Sequence, residues 1–442
     1  MLESIRLPNT KMYTPYFLGV FFFALLILIP MLGESALACS VIICLSVLII
    51  FFFLNYLSLS DEFRFLFTLC ICSFLLRALL TLIIDPSINS FFNGIWENHP
   101  DNFTYDNRGW YLAQEWKKGN FVGISTNKGG YFYLVGIIYF LFGHTMLGAK
   151  IVNGLIGVLT IIFIYLITRE IYGRRVAQIA SLLVGFFPSL VLWSAMLLKD
   201  TLAIFLIVLS VWSTVRLHNQ FRIRYVVIMI ASIAYYMQIR YYIVPFMVAV
   251  ILSSFLIRSE RRLARNIFIT ATMVVIFVVV WRYSPGETKE VFSNYSVNLT
   301  TVSKIRSGFA VGGSEFLGDA KVNSPIQALK FLPLGLLYFF FGPFPWQVHG
   351  LNQIMTIPEV LIWYCLMPFI IYGIVYTLKN KFAKSYVITT LTVALTLIYT
   401  FGMTNMGSLY RYRAQVLVFY LIFAALGISK RRDRRLGIAE ES

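Results

Sequence analysis

Runs of about 20 consecutive apolar residues, the length that crosses a bilayer as a helix, recur along almost the whole chain: 13–33, 36–58, 63–84, 149–170, 176–197, 201–217, 224–238, 240–257, 266–283, 356–378, 385–403 and 410–428. Nothing else in the sequence restricts the fold so strongly. In hydrocarbon every backbone N–H and C=O must find a partner inside the protein, and a helix meets that demand within its own segment. Composition agrees, with 59% hydrophobic and 13% charged residues against about a quarter charged in soluble domains. The expected fold is an all-α polytopic membrane bundle of about 12 spans.

Two further apolar stretches, 131–147 and 326–345, carry Gly, Pro or His and adjoin polar loops. The positive-inside rule decides how to treat them. With Arg6 and Lys11 inside and neither stretch crossing, the inside loops collect Arg169, Arg174 and Arg175, then Arg216, Arg222 and Arg224, then Arg258, Arg261, Arg262 and Arg265, then Lys379, Lys381, Lys384 and the tail "KRRDRR". If both crossed, the three central clusters would move outside. The two stretches are therefore expected as interfacial or re-entrant helices on the outer side. The 37 Lys and Arg against 20 Asp and Glu, a net +17, then reflect orientation and contact with anionic membrane lipids, not nucleic acid. One transmembrane domain over 1–442 is expected, with extra N-terminal spans in 1–62, a core in 63–260 bearing outer loop 85–148, and C-terminal spans in 261–442 bearing outer loop 284–355. Both termini are expected in the cytoplasm of a bacterial plasma-membrane protein. Cys39, Cys44, Cys70, Cys72 and Cys365 all lie in apolar runs without metal-type spacing and read as free buried thiols. "SALAC" before Cys39 departs from a lipoprotein cleavage site and leads into an apolar run, so no cleaved signal is expected.

Charges outside the inner loops carry the functional information. In "HPDNFTYDNRGWYLAQEW" (99–116) helical spacing puts Asp101, Tyr105 and Gly109 on one face, continued by Leu112, Ala113 and Trp116. An amphipathic interfacial helix with Asp101 at its start is expected. Asp101 there is either a first-turn acid favoured by the helix dipole or a catalytic group. Lys199 and Asp200 fall at an outer boundary, where Asp200 either starts the following helix or offers a second carboxylate to an outer cavity. Arg240 in "YYMQIRYYIVPF" and Arg411 and Arg413 in "NMGSLYRYRAQVL" oppose the positive-inside bias. Outward arginines among tyrosines suit a phosphate, or merely a lipid headgroup. Arg77, inside the third run, is costly there unless paired or snorkelling. "FFGPFPWQVHG" (339–350) suits the wall of a lipid-tail or glycan site, or an aromatic belt. His99, His144, His218 and His349 lack metal spacing, and no Gly-rich phosphate loop or Ser-His-Asp set stands out. Asn102, Asn294 and Asn298 head glycosylation sequons by pattern alone.

Together these features equip a bundle for chemistry on a phosphate-linked lipid, an aspartate deprotonating an acceptor hydroxyl while arginines neutralise the leaving phosphate. Their order resembles the GT-C membrane glycosyltransferases, most nearly the branch of protein O-mannosyltransferases and lipid A aminoarabinose transferases. "DNFTYDNRGWYLAQEW" is similar to that group's first-outer-loop motif, and "YFYLVGIIYFLFGHTMLGAKIVNGLIGVLTIIFIYLITREIYGRRVAQIASLL" to its juxtamembrane helix, following span and basic cytoplasmic turn. "FFPSLVLWSAMLLKDTLAIFL" and "GSLYRYRAQVLVFYLIFAALG" resemble later signatures. The resemblance implies Asp101 as the catalytic or acceptor-activating aspartate, and Asp200 as a second outer-face acid sometimes tied to metal or substrate; a cofactor is not required by it, a divalent cation such as Mg or Mn being the candidate. It implies Lys199, Arg240, Arg411 and Arg413 as donor-phosphate ligands, and Tyr105 and Tyr410 as substrate contacts. Asp106 competes for the catalytic role, and Asn102 stands where the family often has a second acid. The implied reaction is inverting transfer from a polyprenyl-phosphate-linked sugar to a glycan, lipid or protein acceptor at the extracytoplasmic face. The alternatives are a polymerase or ligase using a polyprenyl-diphosphate-linked oligosaccharide, and a lipid-linked-sugar flippase.

Overall fold

The computed structural model describes residues 19, 35–57, 61–85, 100–123, 129–257, 324–344, 346, 356–402 and 405–435. The described elements are helical throughout: α1 Ser35–Tyr56, α2 Phe63–Ile84, α3 Pro100–Lys117, α4 Gly129–Phe142, α5 Met146–Tyr172, α6 Arg174–Phe186, α7 Pro188–Ser194, α8 Asp200–Asn219, α9 Ile223–Arg240, a 3-10 turn Tyr241–Ile243, α10 Val244–Ile257, α11 Pro325–Phe341, α12 Ile357–Asn380, α13 Phe382–Gly402 and α14 Met406–Arg435. Eight helical runs among these are long and apolar enough to cross a membrane, or nine if the bent pair α6–α7 is one span. The expected spans 13–33 and 266–283, the arginines 258–265, His99, His349, Asn294, Asn298 and most of loop 284–355 lie outside the described residues.

Local sequence explains where helices stop. Pro188 opens α7 and lacks the N–H that would continue α6, so Phe187 takes the extended conformation favoured before proline and the axis bends by 55°. The spans expected separately at 224–238 and 240–257 instead form one 35-residue run, Ile223–Ile257, interrupted only by the 3-10 turn Tyr241–Ile243. No loop-forming residue separates them. Pro245 sits in the first turn of α10, where a missing N–H is tolerated, so the chain tightens without reversing. At about 1.5 Å per residue the run is about 52 Å long, well beyond a hydrocarbon core of about 30 Å. By the same measure α4, at 14 residues, reaches about 21 Å and is too short to cross. Both α4 and Leu329–Phe341 of α11 are short apolar helices, as expected for 131–147 and 326–345.

The chain folds as two compact units. The first holds α1, α2, α3, α4 from Tyr131, α5 as far as Ile162, and Gly185–Leu202. Within it α1 packs on α2, and α2 on α7. The second holds Phe163–Val184 and everything from Ala203 onward. There α14 is the central helix, with 89% of its apolar window buried against 33% for α12. In a bilayer lipid is as apolar as leucine, so close packing and hydrogen bonds, not water exclusion, hold helices together. α12 and α14 show this directly: a side chain at Gly373 would strike the Phe423 backbone, and one at Gly427 the Phe369 backbone. All five cysteines are free as expected, but only Cys39 and Cys70 are buried. Cys72 and Cys365 are exposed, on the outward faces of α2 and α12.

Candidate active site

The first unit presents Asp101 on a helix whose position is tightly fixed. Pro100 opens α3, where its missing N–H costs nothing, and Asp101 in the first turn complements the dipole. The expected face is the buried one: Tyr105, Leu112 and Ala113 are fully buried and Gly109 is buried with them. They lie on α4, with the Tyr105 ring edge-on to Tyr131 at 4.7 Å. The two backbones approach closely because each helix offers a glycine. A side chain at Gly109 would collide with Val135, and one at Gly136 would meet Leu112 and Trp116 at 3.1–3.2 Å. Tyr105, expected at the substrate, is thus inside the helix pair. At the far end Glu115 accepts from Lys118 Nζ (2.7 Å) and Asn120 Nδ2 (3.0 Å), which pulls its carboxyl pKa down and pushes the Lys118 ammonium up.

Asp106 lies a quarter-turn round from Asp101's face and is already engaged. Its Oδ1 accepts from the Tyr139 hydroxyl at 2.5 Å, and His144 Nε2 sits 3.1 and 3.2 Å from the two oxygens. The His144 ring stacks on Trp110 at 4.8 Å. Burial and then the Asp106 charge hold the Tyr139 phenol well above the ordinary tyrosine range, so it stays a donor. Asp106 therefore ties α3 to α4, while Asp101 is half-buried at the helix start.

Asp200 and Lys199 occupy the break between α7 and α8. Asp200 is fully buried in the first turn of α8 and Lys199 is 8% exposed. The backbone leading to them is not helical, so its carbonyls need outside donors. Each comes from a small set of side chains. Arg77 Nη1 donates to Gly185 O (2.8 Å), and also to Ser73. Thr201 Oγ1 donates to Trp193 O (3.2 Å) and Thr81 Oγ1 to Ala195 O (3.3 Å). Asn153 Nδ2 donates to both Met196 O (2.8 Å) and Leu198 O (2.9 Å). Arg77 does not snorkel: it is 1% exposed and donates to the carbonyl end of α6. Nearby, Lys150 Nζ and Asp85 Oδ2 form a buried ion pair at 2.9 Å. Sequence reasoning passed over Lys150 and Asn153, although two polar residues three apart in an apolar run were the available signal.

The second unit holds the three arginines, in different settings. Arg240 is buried. Its Nη1 donates to the Tyr242 hydroxyl at 2.8 Å and its guanidinium lies 4.1 Å from the Tyr412 ring centroid. With its carbonyl turned to Arg240, the Gln415 amide accepts from Nη2 (3.0 Å) and Nε (2.9 Å) and donates to Tyr399 (2.6 Å) and Tyr236 (3.3 Å). Arg413 donates to Phe339 O (3.2 Å) and Gly342 O (2.9 Å), the final carbonyls of α11. The two between are taken by Trp363 Nε1 on Phe340 O (2.7 Å) and the Tyr364 hydroxyl on Phe341 O (2.5 Å). All four orphan carbonyls at this helix end are thereby satisfied. Tyr410 is 8% exposed, 5.2 Å beneath the Arg413 guanidinium and close to the buried Glu359. Arg411, 8% exposed, lies one residue on. Arg240 and Arg413, expected on phosphate, both make hydrogen bonds to protein groups.

Among the described residues no three His, Cys, Asp or Glu side chains gather as a metal would need.

Residues 130–283 match the family described as dolichyl-phosphate-mannose-protein mannosyltransferase. No curated protein matches the chain by sequence. Among solved structures, the chain is similar to ArnT from Cupriavidus metallidurans bound to undecaprenyl phosphate, with TM-score 0.53 and 14% identity over 84% of this chain and 61% of that one. It is also similar to the archaeal oligosaccharyltransferase AglB from Archaeoglobus fulgidus, in complex with an inhibitory peptide and a dolichol-phosphate, with TM-score 0.53 and 15% identity over 86% of this chain. The chain spans 61% of the first and 52% of the second. At such identities the likeness is one of fold.

Proposed function

We propose that this polytopic membrane protein is a GT-C-type glycosyltransferase that moves a sugar from a polyprenyl-monophosphate carrier to an acceptor hydroxyl at the extracytoplasmic face. The observation that carries this reading is the α3–α4 pair. A glycine-mediated contact and the Asp106–Tyr139–His144 cluster fix the helix, and Asp101 stands half-buried in its first turn. The match to the mannosyltransferase family over 130–283 and the fold shared with ArnT, whose structure holds undecaprenyl phosphate, support the choice of donor.

In this mechanism Asp101 takes the proton of the acceptor hydroxyl as its oxygen bonds to the anomeric carbon. The bond from that carbon to the phosphate oxygen breaks on the opposite face, inverting the centre, and polyprenyl phosphate leaves. Lys199, at the start of α8 beside Asp200, is the first unit's cation for the leaving phosphate, where Lys acts as a point charge. Positioning and charge stabilisation supply most of the rate. AglB, an oligosaccharyltransferase with the same TM-score, favours a second reading, transfer of an oligosaccharide from a polyprenyl diphosphate.

One experiment separates them. Asp101→Asn at matched expression, followed by mass spectrometry of lipid-linked sugars and surface glycans, is expected to cut transfer about 10²- to 10⁴-fold and accumulate a polyprenyl-monophosphate sugar. Accumulated diphosphate-linked repeat units would establish the second reading. Wild-type transfer would remove Asp101 as the base.

A further inference from the structure

We propose that Asn153 is a positioning residue, whose amide clamps the Met196–Leu198 backbone and so sets where Lys199 and Asp200 stand. The proposal rests on the reading above that Lys199 meets the donor phosphate.

The segment from Ala195 to Lys199 lies between two helices inside the first unit. Almost every residue from Leu190 to Asp200 is buried, and three carbonyls in this stretch depend on side chains of other helices. Thr81 holds one, at 3.3 Å. Asn153 holds two, at 2.8 and 2.9 Å, on carbonyls two residues apart. Both N–H bonds of one rigid planar group are thus committed to one turn, which fixes its direction as well as its place. The second bond lands on Leu198, immediately before Lys199. The turn closes on itself through Leu198 N–H to Met196 O at 2.9 Å, so no slack separates the clamp from the residues it presents.

The other half of the amide is not engaged in the same way. Asn153 Oδ1 is buried and accepts no hydrogen bond. Leaving a buried acceptor unsatisfied costs stability, and a buried polar atom without a partner requires an explanation. A residue placed for stability alone would not carry that orphan. A residue that must offer two donors to two carbonyls from one side has little choice but a carboxamide. The neighbouring wall is shaped to match: Gly157, one turn along α5, leaves room where a side chain would press on Arg77 Nε at 3.0 Å and Ser194 at 3.2 Å.

The test uses the full-length protein in detergent with undecaprenyl phosphate as probe. Its dissociation constant is measured by native mass spectrometry, and amide exchange is followed across 196–201. Asn153→Ala is expected to weaken binding about tenfold, as loss of 1.4 kcal/mol would, and to speed exchange in that segment. Thr160→Val removes a buried hydrogen bond made only to its own helix, at Ile156 O, and is expected to change neither. Asn153→Ser, which keeps one donor, falls between wild type and Ala and serves if Ala does not fold. Wild-type binding by both Asn153 variants, or equal weakening by Thr160→Val, overturns the proposal. Lys199→Ala tests the reading beneath it: unchanged binding there removes Lys199 from the phosphate, while faster exchange in Asn153→Ala would still establish the clamp.

Discussion

Single residues in this protein are costly in proportion to how completely their neighbours depend on them. Lys150 is the clearest case. Its ammonium and the Asp85 carboxylate are both buried, 2.9 Å apart. Each pays a desolvation cost that the other offsets, so removing one leaves a buried charge without its ion-pair partner. Lys150→Met is expected to lower unfolding stability by about 3–5 kcal/mol, read as a drop in the thermal midpoint in detergent. Pairing it with Asp85→Asn should recover most of the loss, because an apolar residue and a neutral amide no longer bury a lone charge. A double variant as unstable as the single would mean that the pair matters through shape, not charge. The same reasoning applies to Asp106, whose carboxylate is held by Tyr139 and His144.

At the scale of elements, the sequence revealed what periodicity and length can reveal. The helical runs, the amphipathic face of α3 and the shortness of α4 follow from apolar spacing and from proline, because those depend on residues near in sequence. What spacing could not reveal was which side chains would meet across elements. Arg413 reads as an outward cation in "LYRYR" but caps α11 from 71 residues away. Arg240 is absorbed by Gln415 and the surrounding tyrosines. Asn153 was inconspicuous because its partners are backbone carbonyls, which leave no trace in residue identity. The joint of α3 and α4 gives a test of its own. Gly109→Val puts a branched side chain where Val135 already stands and is expected to force the helices apart, a strain of about 1–3 kcal/mol. Limited proteolysis around 118–123 should then accelerate. An unchanged cleavage rate would show that the pair tolerates separation, and that Asp101 is not fixed by this contact.

Across the whole molecule the remaining question is which surface each end of the bundle faces, and charge supplies the argument. Arg169, Arg174, Arg175, Arg216, Arg222 and Arg224 cluster at the ends of α5, α8 and α9, and such clusters stay cytoplasmic because translocating them is unfavourable. Glu170 accepts from Asn219 and lies 3.5 Å from Arg216. The proposed reaction requires the segment after α3 to be extracytoplasmic. Phe121, 89% exposed, and Ile223, 70% exposed, can be replaced without disturbing a core, and each reports the side its own segment faces. In a background with the five native cysteines replaced by alanine, Phe121→Cys is expected to react with a membrane-impermeant maleimide in intact cells, and Ile223→Cys only after permeabilisation. The reverse pattern would place Asp101 in the cytoplasm, where a carrier-linked sugar would have to be used before it is flipped, and the proposed extracytoplasmic reaction would fall with it.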